Sequence, residues 1–218
     1  IAGDPPPGAV LGWVDNAAGS SSRFKQPMGI ILHKKSSDAD HQLYVSEYSN
    51  HAIRKVDLGA GHAVTTLLGF GKPTPTMGFA DGLLAVAKMK VPQGIAIDPA
   101  SEIAYVADSG NFAVRKFALI AAPFLSLIAG TVASGFVDDV PGASAQFKNA
   151  QHISIRVSSL YVGDYNNFRI RGIELASGLY FVNTVLNTPS PGGLGAAIVG
   201  DRLYSCEYYG KIVAYSFV

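Results

Sequence analysis

Four segments of the chain repeat one short pattern, in which a tyrosine is followed three residues later by an acidic residue. The four pairs are Tyr44 and Glu47, Tyr105 and Asp108, Tyr161 and Asp164, and Tyr204 and Glu207. In the first three copies an arginine comes seven residues after the acid, at Arg54, Arg115 and Arg171. A unit of this kind cannot bury its apolar faces alone, so the units must pack against one another to form a core. The repeat therefore limits the fold to architectures built from stacked copies.

The sequence around each tyrosine predicts short β-strands. Apolar segments rich in β-branched and aromatic residues surround each copy, and no segment has the spacing of an amphipathic helix. Glycine and proline, 24 and 12 of the 218 residues, are spread along the chain, as turns between strands require. A Pro-x-Gly sequence precedes the tyrosine at Pro27, Pro92 and Pro191. Each unit is thus predicted to be a four-stranded antiparallel meander, and radial stacking of such sheets gives an all-β propeller.

The second unit contains a series of motifs that resembles the NHL repeat. The motifs lie at Pro92–Asp98, Tyr105–Asn111, Val114–Lys116 and Ile128–Gly130. A Gly-aromatic-x-Asp motif that recurs in a branch of that family occurs at 12–15, 78–81 and 135–138. The resemblance implies a β-propeller, commonly of six blades, and we predict one domain over residues 1–218. Only four blade units are visible, which leaves open a closed four-bladed ring or part of a larger ring.

Composition excludes several classes of protein. With 48% hydrophobic residues and a net charge of +1, the chain has the apolar content of a folded protein and not that of a disordered one. The longest apolar run, residues 117–129, contains Pro123 and is too short to cross a bilayer, so no membrane span is expected. The single cysteine, Cys206, has no partner for an internal disulfide and is predicted to be a small buried side chain. The cellular compartment is not indicated.

Residues that recur in every unit are interpreted first as parts of the scaffold. The spacing of seven between acid and arginine places both charges near one turn, where they can form an ion pair. The four tyrosines are predicted to be core side chains whose hydroxyl groups bond to the backbone. The asparagine of each turn, at Asn50, Asn111 and Asn167, is expected to adopt a left-handed backbone conformation.

One end of the predicted propeller collects the features that favour binding. Connections of about twenty residues precede units one to three. They emerge at the same end of the propeller as the turns that follow the acids. Long loops on a rigid scaffold often bind ligands. We call this end the long-loop face. Aromatic side chains there suit a protein or peptide partner. The candidate binding residues are Tyr48, His51, Phe112, Tyr165, Phe168, Tyr208, Tyr209 and, at the mouth of an inner strand where other units have glycine, His152. Trp13, Phe79 and Phe136 either belong to this surface or hold their own loops onto the propeller.

The leading hypothesis is a non-catalytic propeller scaffold that binds a protein or peptide through the long-loop face. No nucleophile elbow, phosphate-binding loop or metal-ligand spacing is present, so no catalytic residue, metal ligand or cofactor is assigned. The alternative is a metal-dependent hydrolase or lyase in the central channel, with His152 and Asp98 as first candidates. A weaker alternative is RNA binding, which the balanced charge and the pairing of the repeated arginines disfavour.

Overall fold

A computed structural model describes residues 2, 12–34, 41–59, 61–69, 76–119, 123–138, 141–188, 196–207 and 211–216 of the chain. These residues form sixteen strands and several short 3₁₀ turns. The strands are β1 (Pro27–His33), β2 (Gln42–Glu47), β3 (Ala52–Asp57), β4 (Val64–Leu68), β5 (Gly82–Leu83), β6 (Pro92–Asp98), β7 (Ile103–Asp108), β8 (Ala113–Ala118), β9 (Phe124–Gly130), β10 (Ala150–Arg156), β11 (Ser159–Asp164), β12 (Arg169–Glu174), β13 (Val182–Asn187), β14 (Ala196–Val199), β15 (Arg202–Glu207) and β16 (Lys211–Ser216).

The strands form four antiparallel sheets, each built from neighbours in sequence. Blade 1 contains β1 to β4, blade 2 contains β6 to β9, and blade 3 contains β10 to β13. The short strand β5 pairs with β9 at the outer edge of blade 2. Blade 4 contains three strands, β14 to β16, within the described residues. The predicted meander is therefore confirmed for three units and in part for the fourth.

The pairing register is the same in all four sheets. The repeated tyrosine of the second strand lies opposite an inner-strand residue, as for Ile31 and Tyr44 in blade 1. The same pairing occurs in blade 2, in blade 3 and between Ala197 and Tyr204 in blade 4. A register shift follows the start of the inner strand in blades 1, 2 and 3. This agreement allows residues of different blades to be compared position by position.

The core lies between the blades. One apolar cluster joins Tyr44, Ile53 and Leu68 of blade 1 to blade 2 side chains that include Ile95 and Phe117. A second cluster joins the opposite face of blade 2, with Tyr105 and Val114, to blade 3 side chains such as Ile153 and Leu160. The inner strands β1, β6, β10 and β14 contact one another in that order. Sheets that pack face to face in sequence, with their first strands at the centre, form a β-propeller, as the sequence predicted. No helix within the described residues has the length and apolar character needed to span a membrane.

The turns differ from the prediction in one respect. The left-handed residues after the acids are His51, Phe112 and Phe168, each one position after the asparagine. In blades 2 and 3 a 3₁₀ turn ends at the asparagine and is closed by the left-handed residue. The prediction was wrong because the turn needs the asparagine for its side chain, which bonds to the acid three residues earlier.

We expect Val157→Asn to stabilise the protein. Val157 joins β10 to β11 with φ 53° and is 83% exposed, so a β-branched side chain has a strained backbone there and little packing to offset the strain. Asparagine tolerates the left-handed region, and the expected gain in free energy of unfolding is about 1 kcal/mol. Urea denaturation measures it. The control is Val132→Asn, at an exposed valine whose φ is negative. It should change the free energy of unfolding by less than about 0.5 kcal/mol. An equal gain in both variants would contradict the explanation from backbone strain.

Candidate ligand-binding cavity at the long-loop face

Each of the first three blades buries an arginine between two carboxylates. In blade 1, Arg54 donates from Nη1 to Glu47 at 2.9 Å and from Nη2 to Asp15 at 2.7 Å. The same arrangement joins Arg115 to Asp108 and Asp81, and Arg171 to Asp164 and Asp138. The three arginines and the three acids of the second strands are fully buried. The predicted ion pair is thus confirmed, and it includes a second acid, the aspartate of the Gly-aromatic-x-Asp motif.

The Gly-aromatic-x-Asp loops are held onto the blades by the same residues. In blade 2, the Asn111 amide donates to Asp108 and to the Gly78 carbonyl, both at 2.8 Å, while Arg115 donates to the Ala80 carbonyl at 3.1 Å. The Arg115 guanidinium lies over the Phe79 ring, with its Cζ atom 4.5 Å from the centroid of the ring. Phe136 stacks likewise on Arg169 and Arg171, and the Trp13 indole N–H donates to Thr66 at 2.7 Å. Of the two interpretations of Trp13, Phe79 and Phe136, these contacts support the structural one.

Burial shifts the ionisation of the repeated acids and tyrosines. It raises the pKa of Asp108 to about 6, while hydrogen bonds from Asn111 and the Lys90 N–H and the charge of Arg115 act in the opposite direction. Burial also raises the pKa of Glu47, and it raises the pKa of Tyr44 and Tyr105 to about 12. Because the carboxylates lose their hydration on folding, the bonds to arginine offset a desolvation cost.

The long-loop face contains a solvent-open cavity of about 510 Å³ between blades 1, 2 and 3. Equivalent positions of the three blades line it. The middle residue of the Pro-x-Gly position contributes Met28, Gln93 and Gln151, and the residue after each acid contributes Tyr48, Ser109 and Tyr165. The remaining lining residues are Val91, Gly110, Phe112, Lys148, Asn149 and Asn166. The wall thus combines aromatic rings with carboxamides, which donate and accept hydrogen bonds.

Three lysines occupy equivalent positions on this face, two residues before the start of each inner strand. Their backbone N–H groups donate to Glu47, Asp108 and Asp164 at 2.7 to 2.8 Å. We call Lys25, Lys90 and Lys148 the lysine rim. Lys148 lines the cavity, and the Lys90 side chain lies against Gly110, which also lines it. Within the described residues no carboxylate pairs with these ammonium groups, so Lys148 and Lys90 bring positive charge to the cavity.

The structure brings together three of the predicted binding residues, Tyr48, Phe112 and Tyr165, in the cavity wall. His51 lies beside the wall, where its Nδ1 accepts a hydrogen bond of 3.1 Å from the Val91 N–H. Phe168 and His152 are not among the residues that line this cavity. Tyr208 and Tyr209 lie outside the described residues.

The residues considered for a metal-dependent enzyme do not converge. His152 lies near the start of β10, whereas Asp98 is the last residue of β6, at the opposite end of the blades. The Asp98 carboxylate accepts bonds from the Ala100 N–H and the Ser101 hydroxyl, as a residue that stabilises a turn does. Within the described part of the chain, no group of three histidine, cysteine, aspartate or glutamate side chains is placed to hold a metal ion.

Sequence reasoning missed the lysine rim and the three inner-strand residues of the wall. The signal for the lysines is present in the sequence, since lysine precedes the start of β1, β6 and β10 by two residues in each case. Met28 and Gln93 occupy the variable position of Pro-x-Gly, and Gln151 occupies the equivalent position between Ala150 and His152. Only the pairing register shows that these side chains share one cavity.

No family model matches the chain. Among curated proteins, the chain is similar to NHL repeat-containing protein 2 of Gallus gallus, with 29% identity over 182 residues that cover 79% of this chain and 24% of that protein. It is 30% identical to the Homo sapiens protein of the same name, over 74% of this chain and 22% of that protein. A shorter match, 31% identical over 46% of this chain and 8% of the relative, is to the protein SUPPRESSOR OF QUENCHING 1, chloroplastic, of Arabidopsis thaliana. The chain therefore spans about a quarter or less of the length of these relatives.

Solved structures share the fold at low sequence identity. An auxiliary nutrient binding protein from Bacteroides ovatus aligns with a TM-score of 0.62 and 13% identity, over 89% of this chain and 50% of that one. The computationally designed Ika4 protein aligns with a TM-score of 0.54 and 7% identity, over 91% of this chain and 95% of that one. At this identity the likeness concerns the fold alone.

We expect Asp108→Ala to destabilise the protein far more than Asp81→Ala. Removing Asp108 leaves the Arg115 guanidinium buried with one remaining carboxylate, at an expected cost of about 3–5 kcal/mol. Asp81 is 43% exposed, and its loss should cost about 1 kcal/mol. Urea denaturation of both variants measures the difference, and equal costs would show that burial of the pair is not the cause.

We expect His51→Asn to reduce the loss of stability on acidification. Burial, followed by the charges of Lys90 and Lys25, lowers the pKa of His51 in the folded protein. In the unfolded chain the histidine has its ordinary pKa of about 6.5, so below that pH the unfolded chain binds more protons than the folded protein does. The free energy of unfolding therefore falls as the pH drops below about 6.5. The measurement is the free energy of unfolding at pH 7.5 and pH 5.0.

Phe168→Asn is the matched control, because Phe168 has the equivalent left-handed backbone in blade 3 and no ionisable group. This variant should retain the pH dependence of the parent protein. If His51→Asn retains it as well, His51 does not contribute to acid sensitivity.

Proposed function

We propose that this chain, an NHL-repeat β-propeller, is a non-catalytic scaffold that binds a peptide segment of a partner protein in the long-loop cavity. The observation that carries the proposal is the cavity wall itself, in which three blades place aromatic and carboxamide side chains around one opening. Its volume, about 510 Å³, lies within the range of ligand-binding clefts.

The wall chemistry favours a peptide. Tyr48, Phe112 and Tyr165 offer rigid apolar area at a small entropic cost, which is typical of residues that dominate binding energy in protein interfaces. Gln93, Gln151 and Asn149 line the same cavity. Carboxamides both donate and accept hydrogen bonds, as the backbone of an extended peptide also does, so the two are complementary.

The lysine rim favours a peptide that contains acidic residues. The hydrogen bonds from these lysines to the repeated acids use only the backbone N–H, which every residue except proline supplies. The recurrence of the lysine side chain at three equivalent positions is therefore not explained by these bonds. Lys148 lines the opening and the Lys90 side chain lies beside it, and their ammonium groups attract carboxylates and raise the rate of association.

Selection of a random peptide library on the immobilised protein tests the proposal. We expect enrichment of peptides that combine aspartate or glutamate with an apolar residue. Their affinity should fall at least about tenfold in Tyr165→Ala and in Lys148→Gln, and it should weaken as salt rises because the charge attraction is screened. Fluorescence anisotropy of the selected peptides measures these changes.

Phe124→Ala provides the matched control. Phe124 is exposed and aromatic but begins β9, at the end of blade 2 opposite the cavity, so its loss should leave affinity unchanged. Selected peptides that bind equally well to all four proteins would show that the cavity is not the site, and failure to enrich any peptide would contradict peptide binding.

A further inference from the structure

Blade 3 contains a second cavity, of about 250 Å³, on the face of its sheet that points away from blade 2. Three neighbouring strands form it. The pairing register places Tyr161 of β11, Gly172 of β12 and Asn183 of β13 side by side in the middle of the sheet. All of the described residues that line the cavity belong to this blade, and we call it the blade 3 pocket.

The pocket lies where blade 3 has glycine in place of lysine. The residue that pairs with the repeated tyrosine is Lys55 in blade 1 and Lys116 in blade 2. In blade 3 the residue that pairs with Tyr161 is Gly172. Because the register is the same in the three sheets, Gly172 leaves room where the other two blades place an aliphatic chain that ends in an ammonium group.

The lysines of the other two blades show which groups hold an ammonium group at this position. In blade 1, the Lys55 Nζ atom lies 3.2 Å from the Asp57 Oδ1 atom. In blade 2, the Lys116 Nζ atom lies over the Tyr180 ring, 5.1 Å from its centroid, and donates to the Tyr180 hydroxyl. A carboxylate serves in one blade and an aromatic ring in the other, and both kinds of group attract a cation.

The blade 3 pocket offers both kinds of group. Glu174 has the position of Asp57, because each pairs with the first residue of the second strand. The Ser177 hydroxyl donates to the Glu174 carboxylate and lowers the pKa of Glu174, which is therefore ionised at neutral pH. The Tyr161 and Phe181 rings line the same pocket, and Phe181 is 38% exposed.

We propose that the blade 3 pocket binds the side chain of a lysine from a partner polypeptide. The ammonium group would pair with Glu174, and the aliphatic chain would lie along Phe181 and Val185, which are both exposed. A pocket of about 250 Å³ is smaller than the clefts of about 300–1,000 Å³ that hold drug-sized ligands, and it suits a single side chain. Because an exposed ion pair alone contributes little to affinity, the aromatic and apolar contacts must supply the rest.

This pocket and the long-loop cavity share no described lining residue, so the inference is independent of the proposed function. Ser159 and Glu174 line the pocket at one end of blade 3, whereas Asp164 ends β11 at the long-loop face. Binding at either site can therefore be measured while the other is unchanged.

Nuclear magnetic resonance titration of the ¹⁵N-labelled chain with Nα-acetyl-lysine N-methylamide tests the proposal. We expect the amide signals of residues 159–161, 172–174 and 181–185 to shift. The same amide of norleucine, which has the aliphatic chain without the ammonium group, should bind at least about tenfold more weakly. Equal affinity for the two probes overturns a role for the ammonium group. No shift of these signals by about 50 mM lysine probe overturns the proposal.

A third probe, n-pentylammonium, distinguishes a polypeptide ligand from a free amine. The pocket is open to solvent on one side, so the backbone of a lysine should remain outside it and not hinder binding. We expect the lysine probe to bind at least as tightly as n-pentylammonium. Shifts with n-pentylammonium alone overturn a lysine of a polypeptide as the ligand.

Gly172→Lys places the lysine of blades 1 and 2 in blade 3 and should weaken binding of the lysine probe at least about tenfold, since the new side chain occupies the pocket. The new Cβ would meet the Asn183 Oδ1 and Val185 Cγ2 atoms, which are the ends of exposed side chains that can turn aside. Ala214→Lys is the matched control, because Ala214 pairs with Tyr204 at the equivalent position of blade 4. It adds the same charge outside the pocket and should leave affinity unchanged. Equal affinity in both variants overturns the proposed site.

Glu174→Gln provides a second variant that does not place a new side chain in the pocket. It should weaken binding of the lysine probe about fivefold and leave binding of the norleucine probe unchanged, because only the charge is removed. Asp201→Asn, which removes an exposed carboxylate from blade 4, is its control and should bind both probes as the parent does. Unchanged affinity of Glu174→Gln for the lysine probe overturns the assignment of Glu174, and so does an equal loss in Asp201→Asn.

Discussion

The fold depends on a guanidinium group buried between two carboxylates in each of the first three blades. Arg115, for example, bonds to Asp108 at the end of β7, to Asp81 in the preceding loop and to the Ala80 carbonyl. One side chain thereby joins a strand to a loop that is about thirty residues distant in sequence. Because a buried charge without partners is costly, the two acids stabilise the buried arginine, and the loop and the blade stabilise each other through it. Blade 4 has Val213 at the position that arginine occupies in the other three blades.

The sequence predicted the features that repeat, since repetition shows which residues share one environment. The ion pair of acid and arginine follows from their spacing, whereas the strands and the propeller follow from the repeat together with the apolar segments, the turn residues and the resemblance to the NHL repeat. The left-handed residues His51, Phe112 and Phe168 were missed because asparagine is the residue that usually adopts this backbone. The exposure of Cys206 was missed for a different reason: its strand resembles the others, and exposure depends on whether another sheet is present, which no local pattern records.

The cavity lies where the repeated framework leaves residues free to vary. In blades 1 and 2 the proline and glycine of Pro-x-Gly meet backbone requirements, whereas blade 3 has Ala150 and His152 there. The middle residue lines the cavity in all three blades and differs between them, as Met28, Gln93 and Gln151. After the acid, Tyr48, Ser109 and Tyr165 line the wall, and Ser109 also donates its hydroxyl to the Ala150 carbonyl of the next blade. The same position thus adds an aromatic ring to the wall in two blades and a contact between blades in the third, which explains why sequence alone could identify the tyrosines and not the shape of the wall.

The cavity and the blade interfaces are coupled through two glycines. A Cβ on Gly29 would overlap the Gln93 carbonyl oxygen, and a Cβ on Gly94 would come within 2.9 Å of the His152 Cα. Only glycine allows the inner strands to approach this closely, so these two positions set the spacing between blades 1, 2 and 3. Gln93 and Gln151, which flank these contacts, line the cavity. A larger residue at either glycine would move the walls apart as well as weaken the core, because the strand spacing that packs the blades also determines the width of the opening.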